Sequence, residues 1–432
     1  MFFQKDIETM PRQEIEAMQL ERLKWLVGYC IDNIPFHKER LTKAGVTPEK
    51  IKTLDDIKYI PYTTKEDIRD NYPFGLFGAP MKNIIRLHAS SGTTGKPTVV
   101  GYTKNDIENW SDCMARICIA GGATDEDIVH IAFGYGLFTG ALGLHYGLEK
   151  IGATVVPTSS GNTEKNIMLM QDFKATGLVA TPSYAQYIGE MAREMGVLDN
   201  LSLRLGLLGS EGCTEEMRSQ IEKTLNLFAT DNYGMSELMG PGVSGECYLR
   251  CGMHLNEDHF YAETIDSNTL EVLPKGTAGE LVITTLTKEG IPMLRYRTKD
   301  ITQIHYEKCE CGRTHARMDK IKGRSDDMLK IRGVNVFPSQ IESVLMTCDH
   351  IAPHYQLIVT RKDYTDYLEV KVELADSSLL EEFSKLEDLK DSIKNKLKIV
   401  LGLSTKVTLA EHKSLERFQG KAKRIVDLRN NK

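Results

Sequence analysis

Apolar positions along the chain fall into three regimes. In the first, Ile15, Met18, Leu20, Leu23, Leu26 and Val27 recur at near-helical spacing until Pro35 breaks the run, which predicts helices across residues 7–45. Thr63-Thr64-Lys65-Glu66-Asp67 has the composition of a helix start. Residues 105–119 form a further helical window with Trp110, Met114 and Ile117 on one side. In the second regime, short apolar runs at 128–132, 154–157, 177–180 and 205–208 read as buried strands, separated by helical windows at 140–150, 164–173 and 215–225. That rhythm predicts a mostly parallel sheet covered on both faces. Residues 244–306 instead alternate in strands such as 261–265 and 279–285, joined by turn residues, as in an antiparallel region. The third regime begins near Gly323, with a short strand, a helix at 338–346, strands at 355–360 and 367–373, and a charged helix at 379–400. The expectation is an α/β protein. A large N-terminal domain, residues 1–323, carries mixed and parallel sheets with helices plus a small β region. A boundary segment at 324–328 leads to a small C-terminal α/β domain, residues 329–432.

Composition adds exclusions. With 41% apolar and 26% charged residues in 432, the chain has the make-up of a globular protein with a large core. A formal charge of −6 argues against a nucleic-acid partner, which would call for a basic excess. No uninterrupted apolar run approaches the ~18 residues of a spanning helix, so no membrane partner is expected. The start lacks the basic segment and cleavage site of a signal peptide, which points to the cytoplasm. Nine cysteines, an odd number, then favour reduced thiols or a metal over a disulfide framework.

Candidate chemistry concentrates between the apolar runs at 84–87 and 99–102. Ser90-Ser91-Gly92-Thr93-Thr94-Gly95-Lys96-Pro97-Thr98 gathers five hydroxyls, two glycines and a lysine on a turn between two short strands. Hydroxyls, free backbone N–H groups and a cation suit a polyphosphate. The spacing is not that of a Walker A loop, because only two residues separate Gly92 from Gly95 and Pro97 follows the lysine. A polar surface hairpin is the plainer alternative.

Further along, Asp231, Tyr233, Gly234, Met235, Ser236 and Glu237 follow a strand-like end at 227–230 and are expected in a loop at the sheet's carboxyl edge. A tyrosine face there can cover a purine, and a carboxylate can hold Mg²⁺ through oxygen. A buried tyrosine beside a helix-capping Ser/Glu pair is the alternative. Ser210, Glu211 and Gly212 open onto the same rim, or form a plain βα turn. Phe133-Gly134-Tyr135-Gly136-Leu137-Phe138-Thr139-Gly140 departs from a dinucleotide fingerprint, since three residues separate Gly136 from Gly140. It fits an aromatic, glycine-rich wall for an apolar ligand better. Asp300, after Arg295-Tyr296-Arg297-Thr298-Lys299, could accept bonds from two vicinal hydroxyls of a ribose. Cys309-Glu310-Cys311-Gly312 forms a knuckle-like turn, with Cys247, Cys251 and His254 upstream. Tetrahedral Zn²⁺ in a structural role fits three thiolates and an imidazole, with either Cys247 or Cys251 as a ligand. Buried free thiols are the alternative. Gly420-Lys421-Ala422-Lys423-Arg424 supplies a basic segment near the C-terminus.

In this order, from about residue 60 onward, these segments resemble the adenylate-forming superfamily of acyl-CoA synthetases, peptide-synthetase adenylation domains and luciferases. Ser90–98 looks like its phosphate loop, 233–237 like its Tyr-Gly-x-Ser/Thr-Glu motif, 295–300 like its ribose-binding motif and 323–326 like its hinge. Tyr135–140, Glu257-Asp258-His259-Phe260, 324–329 and 332–340 are similar to the subfamily that activates phenylacetate. The resemblance implies ATP, cleaved to AMP, together with Mg²⁺ and coenzyme A. It implies that Ser90, Ser91, Gly92, Thr93, Thr94, Gly95 and Lys96 hold phosphates, and that Ser210, Glu211, Gly212, Asp231, Tyr233, Gly234, Met235 and Ser236 surround the nucleotide. Asp300 and Arg324 would fix the ribose, and Glu237 would hold Mg²⁺. Lys421 would be the catalytic lysine of a mobile C-terminal domain turning about Asp326, and Gly333 would line the thiol's route. Tyr135, Gly136, Phe138 and Gly212 would wall an aryl-acid pocket. The expected partners are therefore an aryl carboxylic acid, ATP and CoA, and a homodimer is compatible with this reading. A ligase for another aryl acid, such as indoleacetate or an aminobenzoate, an enzyme loading a carrier protein, and a non-catalytic nucleotide-binding regulator are the alternatives.

Overall fold

The structure, a computed structural model, describes residues 1–90, 97–325, 329–332, 334–362, 365–376, 383–418, 422 and 424–429. They form two compact units. One comprises residues 1–180, 201–210 and 228–321; the other comprises 181–200, 211–227 and 322 onward.

The first unit opens with helix Arg12–Asn33, which buries Ile15, Leu23, Leu26, Val27 and Cys30 along one stripe. Pro35 ends the pattern by starting a new helix, Pro35–Lys43, where its missing N–H costs nothing. Strands β1 (Arg86–Ala89) and β2 (Val99–Tyr102) pair antiparallel with Ala89 opposite Val99, so 90–98 is a hairpin connection as expected. Ser90 N donates to Thr98 O at 3.0 Å and closes its root.

Helix Lys104–Gly121 follows. Thr103 and Asp106 form a reciprocal capping box at its start, and Gly122, at φ +105°, ends it in a left-handed turn. Helix Gly140–Lys150 packs on it through two glycines four residues apart. A Cβ on Gly147 would lie 2.5 Å from Met114 Cβ, and one on Gly143 would lie 2.7 Å from the Trp110 ring. The close approach seals Trp110 and Met114 into the core.

The main sheet takes β3 (Ile128–Ile131), β4 (Thr154–Val156), β5 (Gly177–Ala180), β6 (Leu205–Gly209), β7 (Phe228–Met235), β8 (Gly240–Glu246) and β9 (Met253–Leu255). A meander of β10 (Phe260–Ile265), β11 (Gly279–Thr285) and β12 (Tyr296–Thr302) is antiparallel, as the turn-rich pattern predicts. With the short strands β13 (Ile304–His305) and β14 (Arg317–Met318), the main sheet runs β13-β14-β9-β8-β7-β6-β5-β3-β4. Pairing is parallel from β4 to β7 and antiparallel beyond. The α/β class expected from the alternation therefore holds.

One local expectation is corrected. The stretch after residue 230 is not a loop: β7 continues through Met235, and the chain turns only at 236–239 before returning as β8. Gly234 permits this, since a Cβ there would strike the Gly240 carbonyl of the returning strand.

In the second unit, a sheet runs in the order Lys406–Ala410, Thr365–Leu374, Ile351–Lys362, Ile425–Asp427. Helices Pro338–Met346 and Phe383–Leu401 share its core through Ile341, Leu345, Ile393 and Leu397. Helices Pro182–Glu194 and Glu215–Leu225 also belong to this unit and pack at Gly189, where a Cβ would lie 2.7 Å from the Thr224 methyl. Among the described residues, no helix is long and apolar enough to cross a membrane.

Candidate active site and a thiolate–imidazole cluster

The turn between β7 and β8 carries Glu237, which is only 3% exposed. Its Oε1 lies 3.4 Å from the Thr98 hydroxyl and 3.4 Å from Lys65 Nζ, at the first residue of helix Lys65–Asp70. Thr98 in turn pairs with the Ser90 hydroxyl. Glu237 therefore stands at the root of the 90–98 connection, whose residues Ser91, Gly92, Thr93, Thr94, Gly95 and Lys96 lie outside the described ones. Next to it, Ser236 Oγ lies 3.1 Å from Thr139 Oγ1. Oxygen donors at a buried carboxylate fit Mg²⁺, which takes one or two carboxylates and completes its shell with water and substrate phosphates. The neighbouring Lys65 shows that this carboxylate already faces positive charge.

Below the turn sits a lysine that sequence reasoning missed. Lys288 is fully buried, and its Nζ donates to Leu238 O at 2.6 Å and lies 3.3 Å from Glu237 O. Burial pulls its ammonium down from the ordinary value to about 8, against the attraction of Asp106 and Glu237. Polar neighbours Thr287 and Glu289 make the residue read as surface in the sequence.

Four residues before Glu237, on β7, Tyr233 Oη donates to Asp300 Oδ2 at 2.6 Å. Asp300 sits on β12 and is 6% exposed, and its N–H donates to Thr298 Oγ1 at 3.1 Å. The ladder between β11 and β12 shifts register at Glu280/Val282, and Lys299 has φ +69°. Such an irregularity re-aims the following side chain. The rest of the 295–300 run is structural. Arg295 makes a two-point pair with Glu263 at 3.0 and 3.1 Å and donates to Lys58 O and Ile60 O, while Arg297 clamps Glu280 at 2.9 Å.

The segment after β3 is tied to the end of β1. Leu137 O accepts from Ala89 N at 3.0 Å, and His88 Nδ1 lies 3.1 Å away. Tyr135 and Phe138 therefore flank the strand that leads into the 90–98 connection, and Gly136 takes φ +126°, which a side chain would oppose. Tyr135 Oη is 3.1 Å from His145 Nδ1, and burial pushes its phenol up. Phe138 is half exposed.

The remaining expected residues are distributed as follows. Asp231 and Met235 lie on β7, with Asp231 buried and its N–H donating to Glu246 Oε2 at 2.9 Å. Ser210 ends β6 at φ +75°, a strained conformation for a residue with a side chain. In the second unit, Glu211 accepts from Ser183 N at 2.6 Å, in the first turn of helix Pro182–Glu194, and from Ala422 N at 3.0 Å. A Cβ on Gly212 would meet nothing within 4 Å. Arg324 lies on the short strand Gly323–Arg324. Asp326, Gly333 and Lys421 lie outside the described residues.

A second cluster stands at the far end of β8. Cys247, His254, Cys309 and Cys311 bring their ligand atoms within 4.8 Å of one another. The Sγ atoms of Cys247 and Cys309 are 4.0 Å apart, and Cys311 Sγ is 3.5 Å from His254 Nε2. Zn–S of about 2.3 Å and Zn–N of about 2.0 Å give tetrahedral edges of roughly 3.8 and 3.5 Å, so the set fits the ion. A hydrogen bond from Cys247, opposed by burial and aided by one from His254, pushes the Cys311 thiol down towards the thiolate. Cys251 is exposed, its thiol turned to Leu249 O, and stands outside the set. The register explains the choice: Glu246 pairs with Met253 and Gly245 with His254, which leaves Cys247 at the pairing edge and Cys251 in the turn.

The fold and site define an AMP-binding enzyme. Residues 32–287 match the family model described as AMP-binding enzyme, and residues 333–429 match the AMP-binding enzyme C-terminal domain. The phenylacetate–coenzyme A ligase of Thermus thermophilus is 48% identical, covering 99% of this chain and 100% of that protein. That of Escherichia coli is 47% identical, covering 98% and 97%. A 2-hydroxyisobutyryl-CoA ligase, solved in its postadenylation state in complex with R3-HIB-AMP, has a TM-score of 0.92 at 28% identity, covering 98% of this chain and 91% of that one. The chain belongs to the phenylacetate–coenzyme A ligase family of AMP-binding enzymes.

Proposed function

We propose that this chain is an ATP-dependent ligase that joins phenylacetate to coenzyme A, giving phenylacetyl-CoA, AMP and pyrophosphate through an enzyme-held acyl adenylate. The observation that carries the reading is end-to-end similarity, at 45–48% identity, to four phenylacetate–coenzyme A ligases. A carboxylate is a poor electrophile. Attack of its oxygen on the α-phosphorus of ATP expels pyrophosphate and makes AMP a good leaving group. The CoA sulfur then attacks the acyl carbon and AMP departs.

Most of the catalysis is positioning and charge neutralisation. The 90–98 connection holds the β and γ phosphates. Glu237 would hold Mg²⁺, which supplies positive charge to the phosphate oxygens. The Tyr233 ring lies along the nucleotide, and its hydroxyl steadies Asp300, whose carboxylate accepts the ribose hydroxyls. Arg324 adds a second ribose contact. Tyr135, Gly136, Phe138 and Gly212 wall a slot for a flat ring. Lys421, carried on the domain at 329–432, stabilises the charge that grows in the first step. It leaves as that domain turns about Asp326, and Gly333 then lines the thiol's route. Cys247, His254, Cys309 and Cys311 would hold a structural Zn²⁺, since four protein ligands leave no open position. The reaction takes place in the cytoplasm.

A screen of pyrophosphate release over aryl and aliphatic acids, with CoA and with a carrier protein as acceptor, tests the assignment. Phenylacetate with CoA is expected to give the highest kcat/KM. A preference for indoleacetate, an aminobenzoate or carrier protein would contradict it.

A further inference from the structure

The turn that carries Glu237 and the start of β8 behind it are gripped by three buried side chains, each taking a backbone carbonyl. Lys288 Nζ donates to Leu238 O at 2.6 Å, Tyr102 Oη to Met239 O at 3.0 Å, and Trp110 Nε1 to Pro241 O at 2.6 Å. Tyr102 and Trp110 stack with ring centroids 5.1 Å apart, and the Lys288 ammonium lies 4.9 Å over the Tyr102 ring. All three are fully buried.

The lysine itself comes from a fixed segment. Asp106 accepts from Glu289 N and Gly290 N, both at 2.8 Å, and Thr103 Oγ1 donates to Glu289 Oε2 at 2.8 Å. Gly290 lies so close to β2 that a Cβ would strike the Gly101 carbonyl. An ammonium with no access to water is costly to bury. A methionine of similar length would fill the same space without that cost. What the charge adds is a hold on two consecutive carbonyls, Glu237 O and Leu238 O, backed by a cation–π contact.

We propose that Lys288 is a positioning residue for adenylation: its ammonium fixes the backbone of 237–238, so that the Glu237 carboxylate stays turned towards Thr98 and Lys65 at the root of the 90–98 connection. The inference rests on the ligase reading given above and on Glu237 as the Mg²⁺-holding group. It acts through Glu237 and requires no contact between Lys288 and substrate. Burial already draws the Lys288 proton affinity down, with Asp106 and Glu237 opposing. His88 and Tyr102 are the other titratable groups that face it.

The test is a MgCl₂ titration of pyrophosphate release at saturating ATP and phenylacetate, for the wild type, Lys288→Met and Lys288→Gln, with melting temperatures measured alongside. Displacing a group by an ångström can cost up to ~10²-fold, so half-saturating Mg²⁺ is expected to rise about tenfold in Lys288→Met. Lys288→Gln keeps an N–H for Leu238 O without the charge. It is expected to fall between the two, and it carries the test if Lys288→Met does not fold. A lower melting temperature with an unchanged Mg²⁺ requirement would mean the lysine only braces the core, and would overturn the inference alone. A wild-type enzyme that releases no pyrophosphate with any acid would overturn the ligase reading, and this inference with it.

Discussion

Strand β8 runs from the Glu237 turn at one end to Cys247 at the other, and the two ends are built on opposite plans. At the first end, Lys65 and Thr98 reach the buried Glu237 carboxylate, while Thr139 meets the neighbouring Ser236 and Lys288 holds the backbone carbonyls of 237–238. The carboxylate oxygens face a root whose hydroxyls suit phosphate, so the group is completed by what it binds. At the second end, four ligand atoms already lie within 4.8 Å of one another, three of them thiols. That set satisfies an ion by itself. An incomplete oxygen shell suits chemistry on a bound substrate, whereas a complete sulfur–nitrogen shell suits holding chain segments together.

Replacing Glu237 with Gln should have the larger effect. It removes the charge while keeping the size, and loss of one such group costs ~10²–10³-fold in rate. Single-turnover pyrophosphate release, checked against the melting temperature, reads it; a change of only a few-fold would mean that the carboxylate is a structural partner of Lys65 and Thr98. Emptying the Cys/His cluster of its proposed Zn²⁺, by chelation or by Cys309→Ser, should act the other way round. Elemental analysis is expected to show about one zinc per chain lost and the melting temperature to fall by several degrees, because a structural ion stabilises only the folded form. Turnover of the protein that stays folded at 25 °C is expected to change by less than about twofold, as the ion has no open position. Loss of activity without loss of stability would erase the contrast between the two ends.

Much of this was legible beforehand. The strand and helix windows of the sheet are set by apolar runs bounded by turn residues, and Gly177–Ala180, Gly140–Lys150 and Glu215–Leu225 match their windows. The residue types of the proposed nucleotide site were also visible as short motifs. Their geometry was not. Tyr233 meets Asp300 only because β7 runs on to Met235 and the β11–β12 ladder slips at Glu280/Val282. Both depend on how strands cross rather than on local spacing. Lys288 was hidden for a related reason: a lysine between Thr287 and Glu289 reads as solvated, and only the capping box at Thr103 and Asp106, far earlier in the chain, pulls that segment inside. The choice between Cys247 and Cys251 likewise follows from β8–β9 register.

The central claim is that the acid is activated as an adenylate before it meets CoA. Phenylacetate labelled with ¹⁸O in its carboxylate separates this from any other route. If the carboxylate oxygen attacks the α-phosphorus, one labelled oxygen must leave in AMP when the thioester forms, and pyrophosphate stays unlabelled. Label in pyrophosphate or in inorganic phosphate, or AMP released without label, would contradict the account.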